Sequence, residues 1–254
     1  MRRSIVRRTA VATSAFSMAL LVSACGSDKP AASEGKDKGK ESAAAAPAAK
    51  VLSEAELDKL ILTESDVKDL KVSKATEADL ALAKSVTADK AECKPLVDVM
   101  ALRPVGTPGA TALRKVMAMP PKAAENASPE EKMKAGMAVL SGTVTADMLG
   151  SYEGKGAAES LAKLRTAGET CGGGFVMNAG SDKTKITKVA PATFSGGDEA
   201  VAFTLTLDVE GTTGTTHVVA VRKGNSLATF HAQSLAGKAE LPKAVIDAQL
   251  AKLK

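Results

Sequence analysis

The sequence predicts an α+β domain in which an antiparallel sheet carries helices packed on one face. Three observations support this fold class. Large apolar residues alternate with smaller or polar ones from Val201 to Val209, which is the period of a half-buried strand. Two further strands, 216–222 and 227–232, are joined by a two-residue Gly-Asn turn that suits a hairpin. Helical patterns at 156–169 and 241–253 stand apart from these strands along the chain.

The first half of the domain is predicted to combine helices with strands. Ser53 and Glu56 have the spacing of a capping box, which predicts the start of a helix. The stretch 88–102 is predicted to be a helix that carries Cys93 on its apolar stripe. The pattern of 111–119 is ambiguous, and we favour a strand. The segment 137–148 is predicted to be a strand rather than a helix because of Gly142 and its threonines.

The first 24 residues have the pattern of an export signal. Four arginines and no acidic residue precede an uncharged stretch whose apolar part is too short to span a bilayer. Leu21–Cys25 resembles the bacterial lipobox. That resemblance implies transfer of a diacylglyceryl group, with chains such as palmitate, to Cys25 and cleavage after Ala24. An ordinary secretory peptide with a chance cysteine is the alternative, and either the general or the twin-arginine export route fits.

Residues 25–50 are predicted to be the lipidated Cys25 followed by a disordered tether. The stretch after the cysteine contains no large apolar residue that could be buried in a core. A flexible coil of this length reaches about 25–30 Å. Residues 51–254 are then expected to form one domain, held at the extracytoplasmic face of the cell membrane through Cys25.

The charge balance excludes some classes of partner. Removing the four arginines of the signal from the 34 lysines and arginines of the chain leaves 30 basic against 29 acidic residues, a net charge of about +1. No nucleic-acid partner follows from this balance.

The chain has five phenylalanines, one tyrosine and no tryptophan, which disfavours a stacking platform for sugars or bases. The alanine-rich composition suggests an actinobacterial source.

Two cysteines remain after Cys25, namely Cys93 and Cys171. The space outside the membrane is oxidising, so we expect these two thiols to form a disulfide. The alternatives are two free buried thiols or a redox-active pair, although the spacing is not that of a Cys-x-x-Cys motif.

No metal site is expected between the two histidines. If the Gly-Asn turn has two residues, Lys223 pairs with Ser226 and His217 pairs with Ala232. His217 and His231 then point to opposite faces of the sheet. A slip by one residue would bring the two imidazoles together, but it would split the apolar set of the hairpin between the faces.

Other candidate chemistry is equally weak. Met133 and Met137 would share a face if their segment were helical, and thioethers bind Cu(I), but methionine is more often a filler of core gaps. Gly172–Gly174 lacks the lysine and hydroxyl residue of a phosphate-binding loop. We therefore expect no catalytic residues, no metal and no cofactor.

Three short motifs carry a resemblance to a known family. They are a cysteine early in the domain within 91–96, a helix at 157–161 that leads to the cysteine of 169–171, and the Gly-Asp-Glu-Ala of 197–200 before a strand. In this layout the chain resembles the extracellular sensor domains of PknH-type actinobacterial receptor kinases and related lipoproteins.

The resemblance implies an antiparallel sheet with packed helices and a cleft that takes a ligand. Kinase sensor domains of that kind carry two disulfides, whereas only Cys93 and Cys171 are available here, so the cleft and its ligand do not carry over. We expect a non-enzymatic, membrane-anchored module that binds a small molecule or an envelope protein. The alternative is a structural or assembly partner of other cell-envelope proteins.

Overall fold

The computed structural model describes residues 50–119, 126–209, 211–234 and 236–253. Over these ranges the chain forms six α-helices and nine strands, besides two short 3-10 turns. The helices are α1 (Glu54–Leu60), α2 (Glu77–Ser85), α3 (Lys94–Met100), α4 (Pro129–Ser141), α5 (Gly156–Thr170) and α6 (Lys243–Lys252). The strands are β1 (Leu70–Lys74), β2 (Val86–Ala88), β3 (Ala110–Ala118), β4 (Thr143–Ser151), β5 (Phe175–Ala179), β6 (Asp182–Pro191), β7 (Glu199–Val209), β8 (Thr212–Lys223) and β9 (Ser226–Ser234). The predicted export signal and almost all of the predicted tether lie outside the described residues.

All nine strands belong to one antiparallel sheet, in the order β1-β3-β4-β9-β8-β7-β6-β5-β2. This confirms the predicted α+β class. The register of β8 and β9 is also the predicted one, because Lys223 pairs with Ser226 and His217 with Ala232. The alternation at 201–209 forms β7, and the helical patterns at 156–169 and 241–253 form α5 and α6.

The sheet has to curve strongly because its two edge strands are close along the chain. Flat, the nine strands would place β1 and β2 about 38 Å apart, at about 4.8 Å per step. Only α2 and two residues, Ala75 and Thr76, join these strands, and a helix of nine residues is about 14 Å long. The edges must therefore approach each other, and α2 runs from one edge to the other.

Helices pack on both faces of the sheet, not on one face as expected. Val218 and Ala220 of β8 belong to the apolar layer that contains the buried residues of α3 and α5. Val219 and Val221 belong to the layer that contains those of α1 and α6. Four consecutive buried apolar residues are typical of a strand covered on both faces, so the run itself is a signal of two layers.

Gly168 of α5 allows one of these layers to pack closely. A Cβ atom at this position would lie 2.1 Å from the ring of Phe203 on β7. The phenylalanine ring therefore rests directly on the helix backbone, and no larger residue than glycine fits between them.

The predicted disulfide is confirmed. Cys93 and Cys171 are bonded, with their Cα atoms 5.9 Å apart, and both are buried. The bond joins the residue before α3 to the residue after α5. It closes a separation of 78 residues and fixes the two helices of one apolar layer to each other.

Two element boundaries differ from the predictions. The segment predicted as a strand at 137–148 contains the end of α4, and β4 begins only at Thr143. The helix predicted at 88–102 is shorter, because β2 ends at Ala88 and a 3-10 turn at Ala91–Cys93 precedes α3. In both places a helix and a strand lie within a few residues of each other, so neither the helical period nor the strand period describes the whole segment.

Candidate ligand-binding cleft

A cleft of about 450 Å³ lies between the two approaching edges of the sheet. Strands β3, β4 and β9 contribute to it on one side and β5 and β2 on the other, and α2 and the residues at the end of α3 complete its wall. The volume is in the range of sites that take small molecules. The lining residues are Asp79, Leu82, Ala83, Val86, Met100, Ala101, Leu102, Lys115, Met117, Val144, Ala146, Met177, Ala179, His231, Gln233 and Ser234.

The surface of the cleft is aliphatic. Eleven of the 16 described residues that line it are alanine, valine, leucine or methionine, and none of the 16 is phenylalanine, tyrosine or tryptophan. Such a surface gains free energy by removing apolar ligand area from water. Methionine side chains also adapt their shape to an irregular ligand.

A second cavity, of about 510 Å³, lies beside the start of α6. Its lining includes three charged side chains, Lys238, Glu240 and Lys243. We regard the aliphatic cleft as the candidate site because its wall is the more uniformly apolar of the two.

Helix α2 is tied down at both of its ends. Near its start, Asp79 forms an ion pair with Lys115 of β3, with the Lys115 Nζ 2.8 Å from Asp79 Oδ2. At its end, the Arg103 guanidinium donates hydrogen bonds to the carbonyls of Ala83 and Val86. Between these ties Leu82 lines the cleft, although it is 61% exposed. Part of the cleft wall is thus an apolar side chain that still faces water.

The Asp79 carboxylate has two sets of donors. Besides Lys115, it accepts hydrogen bonds from the Thr76 amide and the Thr76 hydroxyl, each at 2.8 Å, as the capping box of α2. Lys115 is the larger influence, and together these donors lower the pKa of Asp79 to about 2. The pair is therefore ionised at neutral pH and contributes no net charge to the cleft.

His231 forms part of the cleft floor as an uncharged side chain. It lies opposite Ala146 in the sheet, and its Nε2 atom is 2.8 Å from the Thr216 hydroxyl oxygen. Burial lowers the pKa of His231 to about 4, and a hydrogen bond to the backbone of Met100 opposes this shift. At neutral pH the imidazole is neutral, so the floor of the cleft suits an apolar ligand.

The two histidines are not brought together. His217 packs on the other face of the sheet, where its Nδ1 is 3.1 Å from the Thr204 hydroxyl oxygen and its Nε2 is 3.1 Å from the Ala239 carbonyl. This confirms the predicted placement on opposite faces. Across the described residues, no group of three or more His, Cys, Asp and Glu side chains is placed to hold a metal ion.

The remaining predicted site residues are not part of the cleft. Cys93 and Cys171 are buried in the disulfide, and Cys25 lies outside the described residues. Met133 and Met137 lie on α4, so their segment is helical, and both side chains are exposed.

A buried carboxyl group on the opposite face was not predicted from the sequence. Asp147 of β4 is fully buried, and neither of its carboxylate oxygens has a hydrogen-bond partner. Burial raises the pKa of Asp147 to about 8, while the positive charges of Arg114 and Lys252 act in the opposite direction. The available sequence signal was Asp147 itself, two residues before Leu149 in a strand that is buried on both faces.

Among the described residues, no helix is long and apolar enough to cross a membrane. No protein-family model and no curated protein matches the chain. Among solved structures, the chain is similar to the extracellular domain of PknH from Mycobacterium tuberculosis, with a TM-score of 0.47 and 12% sequence identity over 80% of this chain and 95% of that chain. That is the class of domain whose motifs the sequence resembles, but a likeness at this level carries no argument about the fold or the ligand of this chain.

Proposed function

We propose that this chain is a non-enzymatic binding module that takes a small apolar ligand in the cleft beside α2. The observation that carries the proposal is an aliphatic cleft of about 450 Å³ whose few ionisable groups are paired or uncharged. A sensor-like role, in which binding is passed on to another protein, is consistent with this activity. The chain itself would supply recognition and no chemistry.

The polar groups of the cleft support binding rather than catalysis. Asp79 and Lys115 neutralise each other, and His231 is hydrogen-bonded to Thr216. A general base near neutral pH needs a pKa close to that pH, whereas the pKa values of Asp79 and His231 are about 2 and 4. These residues are therefore proposed to shape the cleft and to set its charge.

We also propose that the module works outside the cytoplasmic membrane, anchored through a lipidated Cys25. The predicted export signal and the Cys93–Cys171 bond support this location, because disulfides persist in oxidising compartments. Replacing the anchor, Cys25→Ser, is expected to leave the protein uncleaved or to release it into the medium. Processed, membrane-bound Cys25→Ser protein would contradict the anchor.

We further propose that the predicted tether joins the domain away from the cleft. The Leu52 amide donates a hydrogen bond to Ser151, the last residue of β4, and the Asn225 side chain donates to the Lys50 carbonyl. The cleft is lined instead by Val144, near the first residue of β4. Val144 and Ser151 are seven residues apart in β4, a distance of about 24 Å at about 3.4 Å per residue. The ligand would thus enter near the end of the sheet that lies away from the tether.

The alternative role, as an assembly partner of other envelope proteins, is favoured by exposed apolar side chains. Leu80, Met133 and Met137 are exposed on α2 and α4. A protein interface on these residues would not depend on the cleft. A substitution that fills the cleft should therefore weaken ligand binding but leave a protein interface on these residues intact.

The test uses N-phenyl-1-naphthylamine, a neutral apolar dye that fluoresces when it leaves water. Ala146 lies on the cleft floor, and Ala146→Phe should fill part of the cavity and weaken dye binding about tenfold or more, which corresponds to about 1.4 kcal/mol. The control is Ala190→Phe, on β6 and outside the cleft lining, which should bind the dye like the wild type. Equal binding by wild type and Ala146→Phe, or no binding by the wild type, would contradict the proposal.

A further inference from the structure

We infer that the ligand is an amphiphile with one aliphatic chain and an anionic head group, the chain lying in the cleft and the head group on Lys115. The inference rests on the proposed binding function and names the chemical class of the ligand. The anionic head can be a carboxylate or a phosphate, since a lysine ammonium binds either as a point charge.

The cleft floor is arranged as two rungs across three neighbouring strands. Lys115 pairs with Ala146, which pairs with His231. Two residues along, Met117 pairs with Val144, which pairs with Gln233.

Successive residues on one face of a strand are about 7 Å apart, so the cation and the aliphatic surface adjoin along β3. A chain that lies over Met117 and Val144 can place its head group next to Lys115. The apolar rung can therefore contact the aliphatic chain of an amphiphile while the rung with Lys115 contacts its charged head group.

Lys115 is the only cationic side chain among the lining residues that the structure describes, and it can be released from Asp79. If an anion took over the Lys115 ammonium, the Asp79 carboxylate would keep the amide and hydroxyl donors of Thr76. Asp79 would therefore remain hydrogen-bonded, as a capping residue of α2. Both members of the pair are 26% exposed, so their mutual attraction is moderated by water and an incoming anion can compete.

A cationic head group has no comparable place in the cleft. Asp79 is the only acidic residue among the described residues of the lining, and its two oxygens already accept hydrogen bonds from Thr76 and Lys115. A neutral head group would gain hydrogen bonds at most. The charge arrangement therefore favours an anion over a neutral or a positive group of the same chain length.

The experiment measures displacement of N-phenyl-1-naphthylamine from the purified protein by four ligands with the same twelve-carbon chain: dodecanoate, dodecyl phosphate, dodecanol and dodecylamine. We expect the two anions to bind at least tenfold more tightly than dodecanol, and dodecylamine to bind no better than dodecanol. Comparison of dodecanoate with dodecyl phosphate distinguishes a fatty acid from a phosphate-bearing lipid as the source of the head group.

Two variants with opposite expected effects test the role of Lys115. Lys115→Met keeps an unbranched side chain without the charge, and it should remove the preference for anions while the affinity for dodecanol persists. Asp79→Asn frees the ammonium and should tighten binding of the anions without changing that of dodecanol. Lys188→Met, at an exposed position of β6, is the matched control and should behave like the wild type.

Failure of the inference and failure of the proposed function give different results. If dodecanol binds as tightly as dodecanoate, or if Lys115→Met keeps the preference for anions, the assigned head group is wrong although a cleft that binds apolar ligands remains. If all four chains fail to displace the dye, the amphiphilic ligand is wrong; if the dye itself does not bind the wild type, the proposed function is wrong as well. Melting temperatures of the variants show whether any loss of affinity arises from unfolding.

Discussion

Asp147 and Arg114 are paired across β3 and β4, yet the Arg114 guanidinium bonds to Asp58 of α1, with Nη2 2.6 Å from Asp58 Oδ1. Asp147 is left in the apolar layer without a hydrogen-bond donor. The other charged group that acts on it, Lys252 of α6, is itself paired with Asp66. The buried carboxyl therefore stays protonated well above the usual pH range of an aspartic acid.

This arrangement predicts a dependence of stability on pH. The pKa of Asp147 is about 8 in the folded protein and lies near the ordinary 3.8 in the unfolded chain. Between these values the folded state binds a proton that the unfolded state releases, so the free energy of unfolding should fall as the pH rises from about 4 to 8. Asp147→Asn replaces the titrating carboxyl by a neutral amide. In urea unfolding, the free energy of unfolding of this variant should depend less on pH and should exceed that of the wild type by about 2 kcal/mol or more at pH 8.

The control for this prediction is Asp247→Asn, because Asp247 is exposed on α6. That variant should keep the pH dependence of the wild type. Equal slopes for Asp147→Asn and the wild type between pH 5 and 8 would show that Asp147 is ionised in the folded protein.

The close contact of Gly168 with Phe203 makes a prediction about packing. Gly168→Ala would force the ring of Phe203 away from α5, which should lower the free energy of unfolding by about 1–3 kcal/mol. Gly136 in α4 is a matched control, because nothing lies within 4 Å of the position of an added Cβ atom. Gly136→Ala should be neutral or stabilising by up to about 1 kcal/mol. An undiminished stability of Gly168→Ala in chemical unfolding would refute the contact.

The disulfide should contribute to stability without determining the fold. Reduction, or Cys93→Ala, is expected to lower the free energy of unfolding by about 2–5 kcal/mol, because the bond restricts the unfolded chain. The circular dichroism spectrum should keep its native shape, because the apolar layers are extensive. Reductant should have no effect on a variant that lacks both cysteines. Two free thiols in the mature protein, detected by mass analysis, would be inconsistent with the bond.

Substitution of the two exposed leucines of α2 tests whether the dye binds in the cleft or on a general apolar surface. Leu82 lines the cleft, whereas Leu80, two residues earlier, does not. Leu82→Ala should weaken dye binding about threefold to tenfold and change stability little, because the side chain is mostly exposed in the free protein. Leu80→Ala should leave dye binding unchanged. An equal effect of both substitutions would favour a general apolar surface over the cleft.

Much of the fold could be predicted from the sequence, because the periodic segments are long. The alternation in β7, the Gly-Asn turn between β8 and β9 and the helical stripe of α5 each extend over enough residues to define one period. The cysteine pair was predictable from the count of thiols. The short edge strands β1 and β2 and the helix between them were not predicted, since three to nine residues carry too little pattern.

The cleft could not be predicted from the sequence, because it depends on the curvature of the sheet. Lys115 and Met177 are far apart in the chain and lie on β3 and β5, near opposite edges of the sheet. Only the short connection from β1 to β2 brings these edges together. The buried Asp147 was missed for a related reason. It pairs with Phe230 on the apolar face that α1 and α6 cover, and the imperfect alternation of 137–148 did not assign Asp147 to a face.

The methionine methyl groups allow the most direct test of the cleft as the binding site. Met100, Met117 and Met177 line it, whereas Met133 and Met137 are exposed on α4. In protein labelled with ¹³C at the methionine methyl groups, titration with dodecanoate is predicted to shift the resonances of the three cleft methionines and to leave those of α4 in place. Shifts confined to Met133 and Met137, or no shift at saturating ligand, would contradict the account.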